Sequence, residues 1–413
     1  MYDKITLKNG IRVVGEKLPH LHSCTIGFWV GVGSSHELPS ENGLSHLIEH
    51  MVFKGTITRS ARQIAEEMDE IGAHLNAFTG KDCTCFYARV LKEDISTAID
   101  ILSDLVYNPK FDKDELDKER GVVLEEIAMV EDTPDDLAAD LLSLAQYDGS
   151  LNKPILGSHE LISKYTQDDV QNYWKTHYTP DKIVISITGN YDWDMVLNEL
   201  GEKAINFNNS SSVNSDFPNK LINEKRFLKK EIEQAHIYLG FPGFEIGSLK
   251  SYTLSILSGL FGGGMSSRLF QRIREELGLA YSVYTYTSSY LNIGTFKIYA
   301  GTSPKSANRV IDEIKNETSK ILKNGINNKE FLSAKTQLRT DFVFGLESAS
   351  SRMNRLGRSE LILNKIEDQE TIMKNIATIS KDDLMEVVKY VFDSSPAIAV
   401  VGPNTDEIAS SLI

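Results

Sequence analysis

The chain has 413 residues, with 58 acidic against 44 basic side chains, a net charge of −14 and 41% hydrophobic content. A single core rarely grows past about 250–300 residues, so two domains are expected, and the acidic balance argues against a protein built to grip nucleic-acid phosphates or an anionic membrane surface. Three cysteines, Cys24, Cys83 and Cys85, are too few for a disulfide framework. No run approaches the roughly 20 apolar residues that span a bilayer, so a soluble, cytoplasmic protein is expected.

From the N-terminus, Ile5, Leu7, Ile11 and Val13 alternate about Asn9-Gly10, which predicts a strand hairpin. Cys24 to Val32 continues as an apolar strand. The next segment, Gly43 to Phe53, is the most informative of the chain. On a helix, His46, Glu49 and His50 share one face at i, i+3 and i+4, while Leu44, Leu47, Ile48 and Met51 fall largely on the other. Two imidazoles one turn apart can place nitrogens about 2.0–2.1 Å from one zinc ion, with the carboxylate between them free to contact a water. The order H-x-x-E-H is the inverse of H-E-x-x-H. Strands follow over Leu75 to Val90. Cys83 and Cys85 lie there with no His or Cys pair to complete a tetrahedral set, so they are expected to be buried small residues.

A third metal ligand is expected on another acid-rich helix. Asp112 to Glu131 has Leu116, Val123, Ile127 and Val130 at helical spacing, with Glu119 and Glu126 two turns apart beside that stripe and Glu125 pointing away. A carboxylate at the edge of a buried face suits a ligand, although glutamates on amphipathic helices are commonly solvated.

Ile183 to Asn190 reads as a short apolar strand and turn. After it, the Asn- and Ser-rich stretch 206–215 reads as a linker. The second half repeats the order of the first: an apolar strand from Ala235 to Phe241, a helical stretch, strands from Ala280 to Ala300, long amphipathic helices, and a closing strand from Ala397 to Val401. The fold class is therefore α+β: two tandem, related domains over 1–205 and 226–413, joined by a linker at 206–225. Each is expected to be a mostly antiparallel sheet with helices on one face. Gly262-Gly263-Gly264 lacks the Lys-Ser/Thr pair of a phosphate loop. By residue type alone, Arg274 reads as a surface cation and Tyr281 as a strand aromatic.

His46-Leu47-Ile48-Glu49-His50 followed by Glu126 resembles the pitrilysin-type zinc peptidases, or inverzincins, especially the short-chain branch typified by the mitochondrial processing peptidase β subunit and its bacterial relatives. Supporting phrases are Gly31-Val32-Gly33-Ser34 with Glu37, Met51-Val52-Phe53-Lys54-Gly55-Thr56, and Leu75-Asn76-Ala77-Phe78-Thr79. The resemblance covers essentially the whole chain. It implies one zinc ion per chain held by His46, His50 and Glu126, Glu49 as general base, and Glu119 supporting the ligands. It further implies that Arg274 and Tyr281 contact substrate, and that Asn76, Ala77 and Phe78 lie on an edge strand that pairs with an extended peptide. The glycines 262, 263 and 264 match a loop proposed to engage substrate. The activity implied is a metalloendopeptidase acting on unfolded peptides or presequences. Also implied is a homodimer in which the Arg/Tyr pair of one subunit completes the zinc site of the other. Since the family includes inactive members, a noncatalytic structural or binding subunit is the alternative.

Overall fold

The computed structural model describes residues 2–207, 218–403 and 405–412. Asn9-Gly10 turns the chain as expected: Gly10 has φ +105°, a conformation that only glycine adopts without strain, and the Leu7 amide donates to the Ile11 carbonyl at 2.8 Å. The hairpin it closes joins β1 (Asp3–Thr6) and β2 (Arg12–Lys17). With β3 (Ser23–Val30), β4 (His74–Thr79), β5 (Thr84–Leu91) and β6 (Ile183–Gly189) it builds a six-stranded sheet in the order β1-β2-β6-β3-β5-β4. All its pairings are antiparallel except β2 with β6.

The second sheet holds β7 (Lys225–Lys229), β8 (Ala235–Pro242), β9 (Ala280–Ser289), β10 (Gly294–Thr302) and β11 (Ala397–Gly402) in the order β9-β10-β8-β11-β7. Pairings run antiparallel along it until β11 with β7, which is parallel. Strand for strand, this is the order and direction of the first sheet from β4 to β2. The repeated element order in the sequence is therefore a repeated topology.

Two compact units contain these sheets. The first draws on Met1–Ala128, Lys153–Phe217 and Phe344–Ile366; the second on Met129–Asn152, Pro218–Val343 and Glu367–Ile413. Of the segment 206–225, residues 208–217 lie outside the described residues. At its margins Phe207 is buried and stacked on Tyr107, and Lys220–Leu221 pairs with Tyr147–Asp148.

The expectation that helices cover one face of each sheet is corrected. In β3, every residue from Cys24 to Val30 is buried, and β6, β10 and β11 are buried throughout. Half-buried strands alternate polar and apolar; strands covered on both faces do not. In the first unit Ile26 and Phe28 join the main core, while Trp29 packs with Val14, Val184, Met353 and Leu356 on the opposite face. The helix Ala349–Leu363, from late in the chain, supplies that second layer. In the second unit, Pro134–Gln146, from early in the chain, does the same with Ala138, Leu142 and Ala145 against Tyr238, Tyr299 and Ala399. Each unit thus takes one helix from the other half of the sequence. Contact is close: a Cβ on Gly357 would fall 2.1 Å from Trp29 Nε1, and one on Gly240 would fall 2.5 Å from Gln146 Nε2.

Candidate metal centre

The helix α1 (Leu44–Val52) presents the H-x-x-E-H face. Leu44, Leu47, Ile48, Met51 and Val52 are buried in the core of the first unit, leaving His46, Glu49 and His50 half-buried on the other side. Its start is held by a remote carboxylate. Glu37, which has no exposure, accepts from the Gly43 amide at 2.9 Å, the Ser45 amide at 2.8 Å and the Asn42 side-chain amide at 2.9 Å. The two backbone donors, Gly43 and Ser45, would otherwise be orphans of the helix terminus. Burial pushes the Glu37 carboxyl above its usual range, and the bonds from Asn42, Ser45 and Gly43 oppose that shift. Gly43 itself has φ +98°, and a Cβ there would meet Ile162 and the Leu156 carbonyl at 2.8 Å.

The acid-rich segment forms α2 (Lys113–Asp132). Leu116, Glu119, Val123 and Ile127 are buried and Glu125 is exposed, whereas Val130, expected in the buried stripe, is only half-buried. Glu126 reaches α1 from this helix. Its Oε2 lies 3.6 Å from His46 Nε2 and 3.5 Å from His50 Nε2, and the two imidazole rings stand edge to face at 4.7 Å. One ligand atom from each of these three residues lies within 4.8 Å of the other two. Two imidazole nitrogens and a carboxylate oxygen converging on one point are a donor set suited to zinc, with a coordination position left for water or substrate. Burial, and then the neighbouring His50, lower His46 to about 4, so at neutral pH its imidazole is in the neutral form that can ligate.

Supporting groups surround this triangle. Glu119, nearly buried, accepts from His50 Nδ1 at 3.1 Å, and its other oxygen pairs with Lys54 Nζ at 2.7 Å. Glu49 accepts from Thr79 Oγ1 at 2.5 Å. Burial raises the Glu49 carboxyl above its ordinary value, while the Thr79 bond pulls it back. Neither Lys54 nor Thr79 stands out in the sequence as a site residue. The usable signal for Lys54 is its place four residues after His50; Thr79 is found only once β4 is folded against α1.

Asn76, Ala77 and Phe78 lie on β4, an edge strand of the first sheet. Asn76 and Phe78 point to the face where Phe78 meets Trp29 edge to face at 5.6 Å, and Ala77 packs toward the core. Arg274 and Tyr281 belong to the second unit and are brought together there. Arg274 stands 4.7 Å over the Tyr281 ring and 4.8 Å over Phe270, within a π-helical turn, Phe270–Glu276. The side chain of Tyr281 is largely exposed. Gly262 ends the helix Lys250–Gly262, where a Cβ would press on Thr285 at 2.7 Å, and a Cβ on Gly263 would meet Gly259 at the same distance. Packing of helix on strand thus accounts for Gly262 and the close approach of the helix's own last turn for Gly263; a Cβ on Gly264 would meet only Gln337 Nε2, at 4.0 Å. All three cysteines are buried and free, and burial pushes each thiol up, Cys24 to about 12.

Known proteins resemble this chain along most of its length. Residues 12–159 match the family model described as Insulinase (Peptidase family M16), and residues 164–338 match Peptidase M16 inactive domain. An uncharacterized zinc protease of Bacillus subtilis is 41% identical over 405 residues, covering 98% of this chain and 99% of that protein. Another, from Streptomyces coelicolor, is 36% identical over 99% of this chain and 91% of its own length. Among solved structures, a protease from Helicobacter pylori superposes with a TM-score of 0.91 over 97% of this chain and 99% of that one, at 21% identity.

Proposed function

We propose, from the premise that this chain belongs to peptidase family M16, that it is a zinc metalloendopeptidase hydrolysing extended, unfolded peptides with Glu49 as general base. The observation that carries this reading is the convergence of His46 Nε2 and His50 Nε2 on one oxygen of Glu126, with Glu49 on the same helix face. His46, His50 and Glu126 would hold one zinc ion. Bound there, zinc would lower the pKa of water to about 7 and polarise the scissile carbonyl.

The chain's own residues supply the remaining steps. Glu49 takes a proton from the attacking water and returns it to the leaving amine, and its burial suits a carboxylate that must change protonation state within one cycle. Glu119 orients His50 through Nδ1. The unpaired side of β4 is suited to a peptide that adds as a further strand, so recognition would read backbone first and side chains second. Arg274 and Tyr281 are suited to donate to a peptide carbonyl or a developing oxyanion. In this reading they act across a homodimer, the pair of one subunit facing the zinc site of its partner.

The test compares wild type with Glu49→Gln on a mixture of unstructured peptides, with zinc content measured in both. Cleavage by the wild type alone, abolished by a chelator, is expected. Equal cleavage by both proteins at equal zinc content would overturn the assignment of Glu49. Full activity from a monomer in light scattering would overturn the homodimer.

A further inference from the structure

We infer that Thr79 is a positioning residue for the general base: its hydroxyl holds one oxygen of Glu49, so the base is oriented by the same edge strand that is suited to pair with peptide. The inference rests on the reading of Glu49 as base and adds to it a residue on a different element, 30 positions away in the chain.

Alternation along β4 puts Leu75, Ala77 and Thr79 on its half-buried face and His74, Asn76 and Phe78 on the exposed one. Thr79 ends the strand, and its Oγ1 donates to Glu49 Oε2 at 2.5 Å. A carboxylate can only accept here, so the direction of this bond is settled by chemistry. Thr84, the cross-strand partner of Thr79 on β5, places its own hydroxyl 3.5 Å away. That hydroxyl is fully buried and donates to the Val32 carbonyl at 2.9 Å. The proton of Thr84 is therefore engaged elsewhere, and the single proton of Thr79 goes to Glu49. No described residue other than Thr79 makes a hydrogen bond to the Glu49 carboxylate.

Two consequences follow for a base at this position. With Oε2 occupied by a donor, a proton taken from water must sit on Oε1, so the hydroxyl selects which oxygen does the transfer. Because the donor is on β4, a peptide that orders the strand by pairing along it would also steady the base. Orientation of this kind is worth on the order of 100-fold in rate when a reacting group is displaced by about 1 Å.

The experiment measures kcat, KM, zinc affinity by chelator competition and thermal midpoint for Thr79→Val, Thr79→Ser and Glu49→Gln. Valine keeps the shape of threonine and removes the donor; serine keeps the donor. Expected is a fall in kcat of roughly 10- to 100-fold for Thr79→Val. Its KM, zinc affinity and midpoint should stay close to wild type, and Thr79→Ser should restore most of kcat. Unchanged kcat in Thr79→Val while Glu49→Gln is inactive would sink this inference alone. Parallel loss of kcat, zinc affinity and midpoint would also overturn it, because it would make the hydroxyl a structural bond. An active Glu49→Gln would instead remove the underlying reading of the base.

Discussion

Nδ1 of His50 lies 3.1 Å from Oε2 of Glu119, and this contact decides which nitrogen of the imidazole is offered to a metal. With its Nδ1–H donated to the carboxylate, His50 keeps the lone pair of Nε2 directed toward Glu126, 3.5 Å away. Lys54 Nζ pairs with the other oxygen of Glu119 at 2.7 Å, so both oxygens of this carboxylate are held in place.

From this relationship, Glu119→Gln is expected to weaken zinc binding by roughly 10- to 100-fold without unfolding the protein. Chelator competition measures it. An affinity equal to that of wild type would mean that His50 keeps its tautomer unaided.

Glu37 offers a second test at the start of the helix that carries His46 and His50. In Glu37→Ala, the amides of Gly43 and Ser45 and the side chain of Asn42 lose a shared buried acceptor. Each buried donor left unpaired costs about 1–3 kcal/mol, so a loss on the order of 3 kcal/mol or more is expected in denaturant unfolding, with weaker zinc binding beside it. A variant of wild-type stability would show that water replaces the carboxylate at no cost.

Packing of the late helix on the first sheet is tested by Gly357→Ala. The added methyl falls 2.1 Å from Trp29 Nε1, whose hydrogen bond to Ser186 Oγ at 2.9 Å fixes the indole. Overpacking of this kind costs about 1–3 kcal/mol, or roughly 2–4 °C in thermal midpoint per kcal/mol for a unit of this size. A shift in Trp fluorescence should accompany it. An unchanged midpoint would mean that the helix moves away freely.

His177 gives the pH prediction. It is buried against Tyr173, and burial, with Lys182 and His36 adding positive charge, lowers it from 6.5 to about 4. The folded state therefore favours the neutral ring. Its contribution is complete above about pH 6.5, declines as pH falls because the unfolded chain binds the proton first, and is lost by about pH 4. The span corresponds to about 3 kcal/mol. Unfolding midpoints from pH 7 to pH 4 should fall less steeply for His177→Gln than for wild type; parallel curves would refute the assignment.

Much of the site was legible because its residues are close in sequence or lie on one helix. His46, Glu49 and His50 stand out by helical spacing, whereas Glu119 and Glu126 lie beside an apolar stripe like many solvated glutamates and are singled out by the family resemblance. Thr79 and Lys54 were not legible as partners. A single threonine at a strand end has no spacing that distinguishes it from a surface residue, and the place of Lys54 four residues after His50 does not name its partner; both contacts exist only once β4, α1 and α2 are packed together.

By itself the sequence determined the elements, the repeat and the face on which the metal chemistry would stand, since these depend on local periodicity and on the order of segments. Tertiary structure alone decided that each sheet is covered twice. The run from Cys24 to Val30, CTIGFWV, reads as a strand of a sheet covered on one face, and nothing in it says what layer would cover the other. That layer comes from residues 349–363 in one unit and 134–146 in the other, more than a hundred positions from most of the strands they cover. The physical reason is that burial is satisfied by whatever apolar surface fits, and Gly357 against Trp29 and Gly240 against Gln146 make those two helices fit closely.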